Sequence, residues 1–181
     1  MSSLSVYHVS SPEIPNKVLT HFEDIVATLA EKGIRFDRWQ PTTKLQAGAS
    51  QTEVIAGYQM QIDAFKAERS DVSVDLISLD SDYPQKAELR ARFLREHCYA
   101  GEETRFFVSG RGLFSLHLDD YVYAVLCEKN DLITLPAGTP HWFDAGEHPH
   151  FMAIRLRDDS RGWEETFTGD EIASQFPILE D

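Results

Sequence analysis

At residue 102 the hydrophobic period of this 181-residue chain changes, and that change limits the folds open to it. From there apolar residues recur in short runs: TRFFVSG, GLFSLHLD, DYVYAVLCEK, DLITLP, HWFDAG and HFMAIRLR. The breaks between them, SGRG, DD, EKND, PAGTP and GEHP, are rich in turn-forming residues. Evenly spaced runs punctuated this way predict an antiparallel β-sandwich or small barrel. Before residue 102 the pattern is mostly helical. KVLTHFEDIVATLAEKG spaces Val18, Leu19, Phe22, Ile25, Val26 and Leu29 as a helix that Gly33 stops. SQTEVIAGYQMQIDAFKAER predicts a second helix, capped by Ser50 or Thr52. YPQKAELRARFLREH predicts a third, with Pro84 near its first turn. IRFDRWQP and VSVDLISL read as strands, and TGDEIASQFPILED as a last short helix before Pro177. The expected fold class is mainly β (α+β), in a single domain over 1–181. An N-terminal part, 1–95, packs on a barrel core with a C-terminal helix, 96–181.

Composition narrows the partners. Lys and Arg number 17 and Asp and Glu 30, a net charge of −13. Such a surface repels phosphate backbones and argues against nucleic acid. It also repels anionic ligands at long range, so any anion needs a local cationic site. The two cysteines, Cys98 and Cys127, make no disulfide framework and fit a reducing compartment. The N-terminal MSSLSVYHVSSPEIPNK lacks the pattern of a secretion signal, and no apolar run is long enough to span a membrane. A cytoplasmic monomer is the expectation.

Two motifs carry candidate chemistry. His97, Tyr99, Glu103 and Gly110 follow H-x-(H)-x3-E-x6-G, with Tyr99 where a second His would stand. Pro136, Gly138 and His141 follow P-x-G-x2-H. Residues two apart on a strand face one way, so positions 97 and 99 can share an interior face. Pro136 and Gly138 shape a tight turn that returns His141 to it. These motifs resemble those of the cupin superfamily over about residues 95–157. The implied fold is a cupin-type antiparallel β-barrel, a jelly roll, with packed N-terminal helices.

A narrower resemblance runs nearly end to end. KGIRFDRWQ, DLISL, PQKAELRARFL, RFFVSGRGLFSLHLDD, VLCEKNDLITLPAGTPHWFD, AIRL and FTGDEIA together resemble the bacterial acireductone dioxygenase family of methionine salvage. The resemblance implies one Fe²⁺ or Ni²⁺ per chain and attack of O₂ on acireductone, 1,2-dihydroxy-3-keto-5-methylthiopentene. With iron the implied products are formate and 4-methylthio-2-oxobutanoate. With nickel they are 3-methylthiopropanoate, formate and CO. The family's ligands, three His and one Glu, map onto His97, Glu103 and His141; Tyr99 breaks the pattern. The arginine that holds the substrate dianion maps onto Arg105. Flanking positions linked to metal incorporation and conformational coupling map onto Glu96 and Glu102.

The residues keep several readings open. His97, Glu103 and His141 alone form the two-His, one-carboxylate set of non-haem Fe(II) oxygenases. Tyr99 can stay outside the metal sphere, or bind as phenolate to a metal acidic enough to deprotonate it. It can also simply fill a vacated ligand pocket. Arg105 and Arg155 lie inside apolar strands and need partners: either an enediolate held by a bidentate fork, or an internal ion pair. Phe93, Phe107, Phe143 and Trp163 can wall a pocket for a methylthio tail, or be plain core. His117 reads as structural, Cys98 as packing, and His148 as a turn residue. His150 is the candidate replacement ligand. The alternatives to a dioxygenase are a cupin relative with an impaired metal site and a non-catalytic cupin that binds a small organic anion.

Overall fold

The computed structural model describes residues 1–41, 44–46, 48–161 and 164–180. The N-terminal part holds strands β1 (Ser3–His8) and β2 (Lys17–Leu19), helix α1 (Phe22–Ala30) and strand β3 (Arg35–Arg38). Helices α2 (Gln51–Gly57) and α3 (Gln59–Ala67), strand β4 (Val72–Leu79) and helix α4 (Lys86–Phe93) follow. The remaining strands are β5 (His97–Cys98), β6 (Glu103–Leu118), β7 (Tyr121–Glu128), β8 (Asp131–Leu135), β9 (His141–Asp144), β10 (Phe151–Asp158) and β11 (Thr166–Phe167).

Two antiparallel sheets meet in β6. One runs β11-β5-β9-β6-β7-β1-β2, and the other joins β4, β10, β6, β8 and β3. The first half of β6 pairs with β8 and β10, and the second half with β7 and β9. The segment SGRG, expected to be a turn, is therefore part of one 16-residue strand. The ladder against β10 shifts register between Met152 and Ala153, opposite Ser109 and Phe107. An extra residue in a ladder reverses which side chains face inward. Phe107 before the shift, and Phe114 and Leu116 after it, all enter the same buried cluster, so odd numbers point inward first and even numbers later. Gly110 lies beside the shift at φ +74.

The inner cluster includes Phe107, Phe114, Ile133, Phe143 and Phe151. On the outer face of the second sheet, Tyr58, Ile62 and Phe65 of the helical segment cover Phe106, Leu132 and Ile154. On the outer face of the first, Phe176 of the tail packs with Tyr7, Val122 and Trp142. Arg90 of α4 makes a bidentate pair with Asp144 of β9, at 2.8 and 3.1 Å. The Leu179 amide donates to the same carboxylate, and these donors hold it below the usual carboxylate range although burial pushes the other way.

Several expected elements change in detail. Lys17–Leu19, expected to be helical, pairs with β1 (Leu4 opposite Leu19), and the helix begins at Phe22. Its apolar residues satisfy a strand as readily as a helix. β1 itself, SLSVYH, went unread because its alternation is short. The long helix breaks at Tyr58, which leaves helical geometry (φ −115, ψ 13). Ser50 does cap its start, through a capping box with Glu53. The last helix is a 3-10 turn, Ile172–Gln175.

Gly110 gives the fold a sharp test. A Cβ there would lie 1.9 Å from the His150 carbonyl oxygen, on a backbone that L-residues already disfavour. We expect Gly110→Ala to destabilise the protein by at least about 2 kcal/mol, measured by denaturant unfolding. Gly138→Ala, at φ +77 but with nothing within 4 Å of the added carbon, should cost less.

Candidate metal centre

Strand pairing assembles the site from three places in the chain. β5 sits beside β9 with His97 opposite His141, and their rings are 4.5 Å apart. β9 pairs with β6, which begins at Glu103. His97, Glu103 and His141 are all buried. His97 Nδ1 contacts the Arg95 carbonyl at 2.6 Å, and His141 Nδ1 the Thr139 carbonyl at 2.8 Å. A carbonyl only accepts, so each Nδ1 carries a proton, which leaves Nε2 as the nitrogen for a metal. The same arrangement orients imidazoles for metal ligation. His141 Nε2 lies 3.7 Å from Glu103 Oε2, a buried oxygen with no hydrogen-bond partner.

Glu103 Oε1 accepts from Arg105 at 2.9 Å. Burial disfavours the carboxylate, but Arg105, His141 and Arg157 outweigh it and hold the group below its usual range. Burial also lowers His141 to about 4, against the pull of Glu103 and with the help of His97. The site thus holds a buried anion beside two imidazoles, a donor set that fits a divalent transition metal.

Tyr99 stands beside both imidazoles, its ring 5.6 Å from that of His97 and 5.9 Å from that of His141. Burial first, then the charge of Glu103, raises its phenol above the ordinary value. The phenol is therefore neutral at physiological pH. Tyr99 also lines a cavity of about 610 Å³ with Phe93, Arg155, Arg157 and Phe167. Arg155, expected to hold substrate, pairs with Asp75 at 2.9 and 2.5 Å. Phe93 stands at the cavity, and Phe143 lies deeper, edge-on to it at 5.9 Å. Phe107 is core. Trp163 lies outside the described residues.

Other expected residues face elsewhere. Glu102 and Glu96 each immediately precede a strand and find their partners away from the centre. Glu102 pairs with Arg69 at 2.6 Å. Glu96 accepts from His117 Nδ1 at 2.8 Å and from the Thr168 hydroxyl at 2.7 Å. Among the described residues, donor atoms of Glu96, His117 and Asp170 lie within 4.8 Å of one another. That cluster was not foreseen, because its partners are distant in sequence. His150, the expected replacement ligand, is exposed and precedes β10, so it does not reach the interior. Cys98 is half-buried, on the side of β5 opposite His97.

The family model described as ARD/ARD′ family matches residues 6–165. This chain belongs to the ARD/ARD′ family. Relatives include the acireductone dioxygenases of Pseudomonas fluorescens strain Pf0-1, 70% identical, and Pseudomonas syringae pv. syringae strain B728a, 67% identical. Each alignment spans 181 residues and the whole of both chains. Among solved structures, the acireductone dioxygenase from Bacillus anthracis with a cadmium ion in its active centre superposes with a TM-score of 0.78. It is 25% identical, covering 92% of this chain and 98% of that one. The jelly-roll reading of the fold agrees with that match, although here the sheets stay open rather than closing into a complete barrel.

Two measurements address the centre. Tyr99→His should tighten Fe²⁺ or Ni²⁺ binding at least about 10-fold, since changes merely beside a ligand already shift affinity about 10–100-fold; competition with a chelator reads this directly. The second concerns the metal-free protein. The folded pKa of His141, about 4, is below the unfolded value of 6.5, so its contribution to stability is intact above 6.5 and lost as pH falls through 4. The metal-free melting temperature should fall across that window. The fall should be shallower in His141→Gln.

Proposed function

We propose that this chain is an acireductone dioxygenase that uses one Fe²⁺ or Ni²⁺ held by His97, Glu103 and His141. The observation that carries the reading is the inward Nε2 of the imidazoles around an unpartnered carboxylate oxygen, within a family whose curated relatives bear that name. The metal would supply Lewis acidity and a template for adjacent enediolate oxygens. The substrate is acireductone, with O₂ as the second reactant. Formate and 4-methylthio-2-oxobutanoate are the products assigned to the iron form; 3-methylthiopropanoate, formate and CO belong to the nickel form. We place the enzyme in the cytoplasm as a monomer. Among the described residues no helix is long and apolar enough to cross a membrane.

Arg105 has two tasks in this reading. One guanidinium nitrogen holds Glu103 Oε1, which leaves the other carboxylate oxygen for the metal. Its Nε is buried and unpartnered, a donor available to the substrate dianion. The rings of Phe114 and Phe143 lie 5.1 and 5.0 Å from the guanidinium carbon and fix its position. Phe93 and Phe167 offer apolar surface in the cavity for the methylthio tail.

The test is loss of acireductone absorbance under O₂ with protein loaded with iron or nickel. Wild-type turnover supports the proposal; metal-loaded protein that leaves acireductone at the uncatalysed rate refutes it and favours a binding protein or an impaired relative. Arg105→Met should lower turnover by roughly 10²-fold or more, the range seen when one charge-stabilising donor is removed. It should also weaken metal binding about 10-fold, through the released Glu103. Lys should rescue only in part, because it lacks the planar fork.

A further inference from the structure

We infer that Tyr99 is not a metal ligand but a substrate-recognition residue, its phenol donating a hydrogen bond to the anion that enters from the 610 Å³ cavity. The inference rests on the functional reading above and assigns a role to the one position where this chain departs from the three-His pattern.

The argument starts from shape. A tyrosine hydroxyl lies further from its Cα than an imidazole nitrogen does. A tyrosine in a His position therefore carries its oxygen past the point where the imidazole would ligate. The structure agrees: the ring passes alongside His97 and His141, and the side chain emerges on the cavity lining. Among the described residues, Tyr99 and Phe167 both touch a site imidazole and line this cavity. Phe167 has no polar atom. Tyr99 has a hydroxyl, and no described residue hydrogen-bonds to it. A polar tip beside an apolar wall, next to a set of metal donors, is the arrangement by which pockets orient small ligands.

Charge supports the same role. Arg105 and Arg157 lie near the phenol, as do Glu103 and Glu165. An anion that enters there meets the phenol O–H, which can donate to it.

The test compares wild type with Tyr99→Phe, which removes only the hydroxyl. Each protein is loaded with Ni²⁺ or Fe²⁺, its metal content is measured, and acireductone is titrated without O₂ while its absorbance is followed. We expect unchanged metal content and roughly 10-fold weaker acireductone binding in Tyr99→Phe, in keeping with a hydrogen bond to a charged partner. Under O₂, KM should rise by a similar factor with kcat less affected. Loss of metal in Tyr99→Phe would make Tyr99 a ligand and overturn the inference. Unchanged metal and unchanged binding would make it a bystander and overturn it equally. Metal-loaded wild type that binds no acireductone would overturn the functional reading, and the role of Tyr99 with it.

Discussion

The Glu103 carboxylate is buried with full charge, and the site depends on how that charge is satisfied. A lone buried carboxylate costs several kcal/mol. Here Arg105 balances one oxygen, while the other faces His141 and has no donor. Arg105 is itself buried, with one nitrogen committed to Glu103 and another left over. The two groups neutralise each other only in part. That incompleteness leaves room for a cation on one side and an anion on the other. A fully satisfied pair would be more stable and chemically inert.

The long strand β6 makes this possible. Its first residues carry Glu103 and Arg105 into the interior from one sheet, and its last residues bring Phe114 and Leu116 into the same interior from the other. The register shift near Gly110 lets one strand serve both sheets without turning its polar residues into the apolar end. The polar group of His97, Glu103 and His141 and the apolar group of Phe107, Phe114 and Phe143 thereby share one interior, and they meet where Arg105 lies over the Phe114 and Phe143 rings.

Much of this was legible in the sequence, for physical reasons that differ from residue to residue. The turn-punctuated alternation after residue 102 announced the β architecture, and VSVDLISL became β4 over the same residues. The meeting of His97 and His141 on one interior face was legible because strand parity and the Pro-Gly turn are local rules. Other features rest on long-range pairing that no local rule carries. SGRG looks like a turn, yet the partner strands on both sides hold it extended. Lys17–Leu19 looks helical until β1 is available to pair with it. Arg155 read as a substrate anchor or as half of an internal ion pair, and the partner that decides for the pair, Asp75, is on a strand far away in sequence. The partnership of Glu96 with His117 and Thr168 is hidden in the same way.

Helix α4 buries none of its residues and has no side-chain N-cap. It is attached by the Arg90–Asp144 and Arg92–Glu165 pairs and by Leu89 and Phe93, which pack partly buried against the inner cluster. A short helix with no fully buried residue opens by local unfolding at a fraction of the global free energy. Leu89, Arg92 and Phe93 on this helix form one side of the cavity, and only Leu94–Glu96 separate it from His97. Its amides should therefore exchange with solvent well ahead of those in β6. Helix α4 thus stands between solvent and the buried Glu103 charge, so its breathing sets how often that charge meets the outside.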